Sequence, residues 1–146
     1  MYKRERGFTL IELITVMILI SLVSVTLFSR LGSVSTANLH AGRDDLIAAL
    51  FFAQQSAMAR GNIQLILLSN SVSVTESGAP IIVHNKGYPL VFPSGVSVSV
   101  RLPNGQVTTS QTLTYDRLGR TTPVAVTLSA GGAKSVVTLE ASGYAH

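Results

Sequence analysis

An α+β fold, with one long N-terminal helix packed on a C-terminal antiparallel β domain, follows from three observations. The first sixty residues contain no proline, and Leu39, Leu46, Leu50, Ala53 and Ala57 recur at helical intervals of three, four or seven. From Asn62 onward the apolar period falls to two, and turn residues recur every 8 to 12 positions or so, as in hairpin-built sheets. Between the two regimes stands Gly61, the residue type that ends a helix in a left-handed conformation.

The chain opens on a basic leader, MYKRERG, followed by an almost unbroken apolar run, FTLIELITVMILISLVSVTLF, whose single charge is Glu12. The 21 residues from Phe8 to Phe28 make a helix of roughly 31 Å at 1.5 Å per residue, enough for a bilayer core of about 30 Å. Lys3, Arg4 and Arg6 hold the leader on the cytoplasmic side and send the remaining chain outward. A cleaved secretory signal has a shorter apolar core with a small-residue site after it; here the small residue, Gly7, stands before it. A carboxylate in hydrocarbon is costly by several kcal/mol, which makes Glu12 a functional-site candidate and calls for a counter-charge.

Residues 29–61 read as an amphipathic continuation of that helix, with Gly32 and Gly42 as soft points where it bends or unwinds. In the β head, 62–146, strands are expected near Gln64–Ser69, Val72–Thr75, Val96–Arg101, Thr112–Tyr115, Val124–Ser129 and Ser135–Glu140. Pro103-Asn104-Gly105 and Ala130-Gly131-Gly132-Ala133 supply hairpin turns. Glu76 to Pro93, rich in Gly and Pro, reads as loop with a short strand at Pro80–His84.

Gly7-Phe8-Thr9-Leu10-Ile11-Glu12 behind a basic leader resembles the processing site of type IV pilins and type II secretion pseudopilins. The resemblance implies a 1–7 prepilin leader removed by a prepilin peptidase between Gly7 and Phe8. It further implies N-methylation of Phe8 and an 8–28 helix that is first a transmembrane anchor and later filament core. It also implies that Glu12 pairs with the terminal ammonium of a neighbouring subunit, so that neither charge is buried alone. The expected location is the bacterial inner membrane, single-pass, with the C-terminal domain in the periplasm, then the pilus or pseudopilus. The expected partners are other pilins, met through the N-terminal helix, and the peptidase.

Three later phrases resemble the H-type pseudopilins and FimT-like minor pilins (GspH/FimT type). They are Arg43-Asp44-Asp45-Leu46-Ile47-Ala48-Ala49-Leu50 with Ala53-Gln54-Gln55-Ser56-Ala57-Met58-Ala59-Arg60, then Leu113-Thr114-Tyr115-Asp116-Arg117-Leu118-Gly119-Arg120, and Ala141-Ser142-Gly143-Tyr144. The helix phrase also resembles the MshC minor pilin of mannose-sensitive haemagglutinin pili. Zero cysteines exclude a disulfide and depart from the major pilins that close their C-terminal region with a Cys pair.

Nothing in the sequence suggests turnover or a cofactor. His40, His84 and His146 fall in three different elements without metal spacing, and neither a nucleophile elbow nor a phosphate-cradling Gly pattern is present. Asp44 and Asp45 are adjacent on the helix and point apart, one expected in solvent and one against a neighbouring loop. Of the formal +4 charge, half belongs to the leader, and the rest is dispersed. Arg117 and Arg120 could meet phosphates, as in FimT-like DNA receptors, which would make the chain a tip receptor for DNA or a surface ligand. The chain end Gly143-Tyr144-Ala145-His146 lacks the arginines of that family's DNA-binding end. A local contact of Asp116 with Arg117 or Arg120 is therefore the favoured reading.

Overall fold

The computed structural model describes residues 9–83 and 86–146, with backbone alone for 25–33, 83 and 86. The leader, the Gly7–Phe8 junction and His84 lie outside the described residues. The chain divides into two compact units, Met1–Val34 and Ser35–His146. One helix, α1 (Leu10–Arg60), contributes to both.

Thr9 caps α1: its carbonyl accepts from the N–H groups of Glu12 (3.1 Å) and Leu13 (3.2 Å), and its hydroxyl accepts from Glu12 N–H at 3.4 Å. Thr9-Leu10-Ile11-Glu12 thus has the T-x-x-E form of a capping box, a start signal that lies within the Gly7–Glu12 phrase. At the other end Gly61, with φ 79°, terminates the helix as expected and donates to Ala57 O at 3.1 Å.

The helix runs through Gly32 and Gly42 without interruption. Gly42 is a packing position instead of a soft point: a Cβ there would sit 3.2 Å from Val96 Cγ1 and 3.6 Å from Leu128 Cδ2, so the missing side chain lets the β head approach the helix closely. The expected stripe of Leu39, Leu46, Leu50, Ala53 and Ala57 is buried, as is Ala49.

The head is built from β1 (Ile63–Leu68), β2 (Ser71–Glu76), β3 (Ala79–Pro80), β4 (Ile82–Val83), β5 (Lys86–Gly87), β6 (Leu90–Val91), β7 (Ser97–Arg101), β8 (Val107–Thr108), β9 (Gln111–Thr114), β10 (Val124–Ala130) and β11 (Ala133–Leu139). One antiparallel sheet has the order β3-β2-β1-β9, with β6 also on β2; a second has the order β11-β10-β7-β8; β4 and β5 pair alone. The six expected strands correspond to β1, β2, β7, β9, β10 and β11. The 76–93 segment departs from expectation, since it contributes four two-residue strands instead of one.

Alternation places Ile63, Leu65 and Leu67 of β1 inward, and Val124, Val126, Leu128 and Ala130 of β10 likewise. These join the helix stripe, Val98, Val100, Leu113, Val137 and Leu139 in one core. The β10–β11 connection is the expected two-residue turn, with Ala130 opposite Ala133 and positive φ at Gly131 and Gly132. Val98 N–H donates to Ser69 O (2.8 Å) and Phe92 N–H to Asn70 O (2.9 Å), which ties β7 and the 92–96 segment to the β1–β2 turn.

Candidate functional site

The first turn of α1 holds Glu12, where the unpaired N–H groups of a helix start favour negative charge. Its carboxylate makes no ion pair or side-chain hydrogen bond among the described residues. From Leu10 to Val23 every leucine, isoleucine, valine and methionine is exposed, Val16 being the most covered at 42%. The intervening hydroxyls turn inward: Thr15 Oγ1 donates to Ile11 O, Ser21 Oγ to Met17 O and Ser24 Oγ to Ile20 O, each at 2.7 Å. A helix surface with its polar groups satisfied internally suits hydrocarbon or a bundle of like helices. Against that surface Glu12 is the one acid of this stretch. Among the described residues no helix is long and apolar enough to cross a membrane; the span expected from the sequence, 8–28, extends at both ends beyond the side chains described.

The three phrases that narrow the resemblance meet in the head, on Gln54. Gln54 Nε2 donates to Ser142 O at 3.0 Å. A Cβ on Gly119 would stand 2.9 Å from Gln54 Cγ, and one on Gly143 would overlap the Gly119 carbonyl oxygen. The helix end, the 116–120 turn and the 140–144 turn therefore form one junction that admits no side chain at either glycine. A cleft of about 230 Å³ opens beside it, lined by Ile47, Phe51, Gln54, Gly143, Tyr144 and Ala145. Its convergence was not legible beforehand, because only the fold brings residues separated by 88 positions together.

Asp116 shapes the second of these turns through the backbone. Its Oδ1 accepts from Leu118 N–H and Arg120 N–H, both at 2.8 Å. The expected contact with Arg117 or Arg120 is thus made to the Arg120 main chain, and neither guanidinium has an ion pair or hydrogen bond among the described residues. Arg117 lies over the end of α1, where a Cβ on Gly61 would be 3.2 Å from its Nε. A groove of about 310 Å³ lined by Asn62, Gln64, Ser77, Gly78 and Thr114 includes neither arginine.

The remaining candidates stay apart. Asp44 is exposed; Asp45 is half-buried and makes no hydrogen bond or ion pair among the described residues. His40 is exposed on α1, and His146 stacks on Tyr144 with ring centroids 5.6 Å apart. Arg60 pairs with Glu76 at 3.1 Å on the surface. Burial holds the phenols of Tyr88 and, more strongly, Tyr115 above the ordinary tyrosine range.

Residues 2–28 match the prokaryotic N-terminal methylation motif, a segment that includes Gly7, Phe8 and Glu12. No curated protein matches the sequence. Among solved structures the chain is similar to the type IV minor pilin FimU of Pseudomonas aeruginosa (strain PAO1), with a TM-score of 0.53 and 14% identity. That similarity covers 74% of this chain and 90% of the other. At this identity the likeness concerns the fold, a helix laid on antiparallel sheets. The chain thus carries the methylation motif at its start and is similar in fold to a type IV minor pilin.

Proposed function

We propose that the chain is a minor pilin or pseudopilin, a non-enzymatic subunit that co-assembles through α1 into a type IV pilus or type II secretion pseudopilus and primes the filament or caps its tip. In this reading residues 1–7 are the leader, 8–28 the anchor and filament core, 29–61 the helix continuation and 62–146 the head. A prepilin peptidase cuts between Gly7 and Phe8, and Phe8 is N-methylated. Before assembly the chain is a single-pass protein of the inner membrane with its head in the periplasm. The subtype in this reading is the H-type, FimT-like group, within which an MshC-like minor pilin is one candidate.

One observation carries the proposal. Glu12 is a lone carboxylate on an otherwise apolar helix surface, and its own chain gives it no counter-charge among the described residues. The free ammonium created at Phe8 of a neighbouring subunit would offset it and fix the axial register of the two helices. Glu12→Ala removes the attraction and leaves an apolar helix, so membrane insertion persists while co-assembly with other pilins falls by at least tenfold on immunoblots of sheared filaments. Incorporation at the unaltered level would overturn the pairing.

A tip receptor for DNA is the second reading, favoured by the guanidiniums of Arg117 and Arg120, which are unpaired among the described residues. It requires binding that weakens steeply with salt and is lost in Arg117→Ala/Arg120→Ala. Equal DNA binding by the double variant would remove those residues from the reading.

A further inference from the structure

We propose that the free edge of β11 at Lys134–Val136 is a strand-addition site for an extended, acid-bearing segment of a neighbouring subunit. The edge is read from this structure alone; the guest's identity as a neighbouring subunit rests on the filament assembly proposed above.

β11 pairs with β10 along one side, from Val124 opposite Leu139 to Ala130 opposite Ala133. In an antiparallel ladder alternate residues direct both backbone groups to opposite sides. Thr138 shows which residues face away from β10: its N–H donates to His146 O (2.8 Å) and its carbonyl accepts from His146 N–H (3.0 Å). Glu140 N–H likewise donates outward, to Tyr144 O at 2.9 Å, and Leu139 bridges Ala145. Residues 144–146 therefore already occupy one end of this edge as a short antiparallel strand. The next outward positions are Val136 and Lys134, and among the described residues neither has a backbone partner on that side. Both are exposed, Val136 at 53%.

The β9 edge of the other sheet shows how this protein closes a strand. On β9 the outward carbonyls of Thr114 and Thr112 accept from Thr121 Oγ1 and Gln111 Nε2, each at 3.0 Å. Among the described residues no side chain does the same for Val136 or Lys134, and the charge of Lys134 guards the edge. That charge selects the guest. The strands β7, β10 and β11 include Arg101 and Lys134 and not one acid. Two copies of β11 paired antiparallel would bring their Lys134 side chains together, whereas a guest with a carboxylate beside Lys134 gains a cross-strand pair. Backbone hydrogen bonds would supply the attachment and the acid its selectivity.

Amide exchange on the ¹⁵N-labelled full chain in detergent micelles tests this, with a blocked hexapeptide of alternating Val and Thr carrying one central Glu as probe. Saturating peptide should slow the Lys134 and Val136 amides at least tenfold and leave Ser135 and Val137, which face β10, unchanged. The same peptide with Lys in place of Glu should protect neither, and Lys134→Glu should exchange the two preferences. Three results would overturn the proposal: both amides protected before peptide is added, no change at millimolar peptide, or protection that grows with protein concentration alone, which would indicate a second copy. A failed assembly reading is separately visible, as absence of the unaltered chain from filaments.

Discussion

Gly143→Ala and Gly132→Ala make a matched pair. Both glycines adopt nearly the same left-handed backbone, φ 85° and 86°, so an L side chain strains each by about 1–2 kcal/mol. They differ in surroundings. A Cβ on Gly132 meets nothing within 4 Å, whereas one on Gly143 runs into the Gly119 carbonyl and lies 2.8 Å from Gln54 Nε2. Relief of that overlap must part the 140–144 turn from the 116–120 turn and break the Gln54–Ser142 hydrogen bond. Overpacking costs about 1–3 kcal/mol and the hydrogen bond about 1, so Gly143→Ala should lose roughly 2–4 kcal/mol more than Gly132→Ala. For a unit of this size, at about 4 °C per kcal/mol, the melting temperatures should differ by roughly 8–16 °C. Thermal unfolding of the detergent-solubilised full chains, followed by circular dichroism, measures the gap. Losses equal within about 0.5 kcal/mol would refute the claim that the three segments are locked together at Gln54.

Leu50→Ala, at a fully buried core position, should destabilise by about 3–4 kcal/mol in urea titration with the slope unchanged. The phenol of Tyr115 titrates above its unfolded value near 10, so its contribution is complete below that pH and is lost as pH rises through the folded pKa; Tyr115→Phe should flatten the alkaline limb of a stability–pH curve. Gly7→Glu should block trimming, and intact-mass measurement should then find the leader retained; a mature mass in that variant would remove the peptidase assignment.

What the sequence made legible was set by range. The helix and its end at Gly61 follow from period and one residue type, and six strands declare themselves because each carries alternation over four or more positions. The two-residue strands β3, β5, β6 and β8 contain no period to detect, and Pro80 and the neighbouring glycines argued for loop. Gly42 was misread for a related reason: propensity describes a lone helix, while the close approach of Val96 and Leu128 is a property of the assembled core. The candidate site divides the same way. Glu12 stands out as a charge in an apolar run, and Thr9 adds a cap recognisable from its spacing to Glu12. The Gln54 junction depends on three distant segments, so its glycines look like ordinary turn residues until the chain is folded.

The hydrogen bond from Gln54 to Ser142 has a mechanical corollary. Tension applied along α1 does not enter the head only through Gly61 and β1; it also reaches β11 through the closing turn that Gln54 grips. Load shared between two attachment points on different sheets must rupture several bonds at once, a useful property in any subunit that is pulled on by its stem.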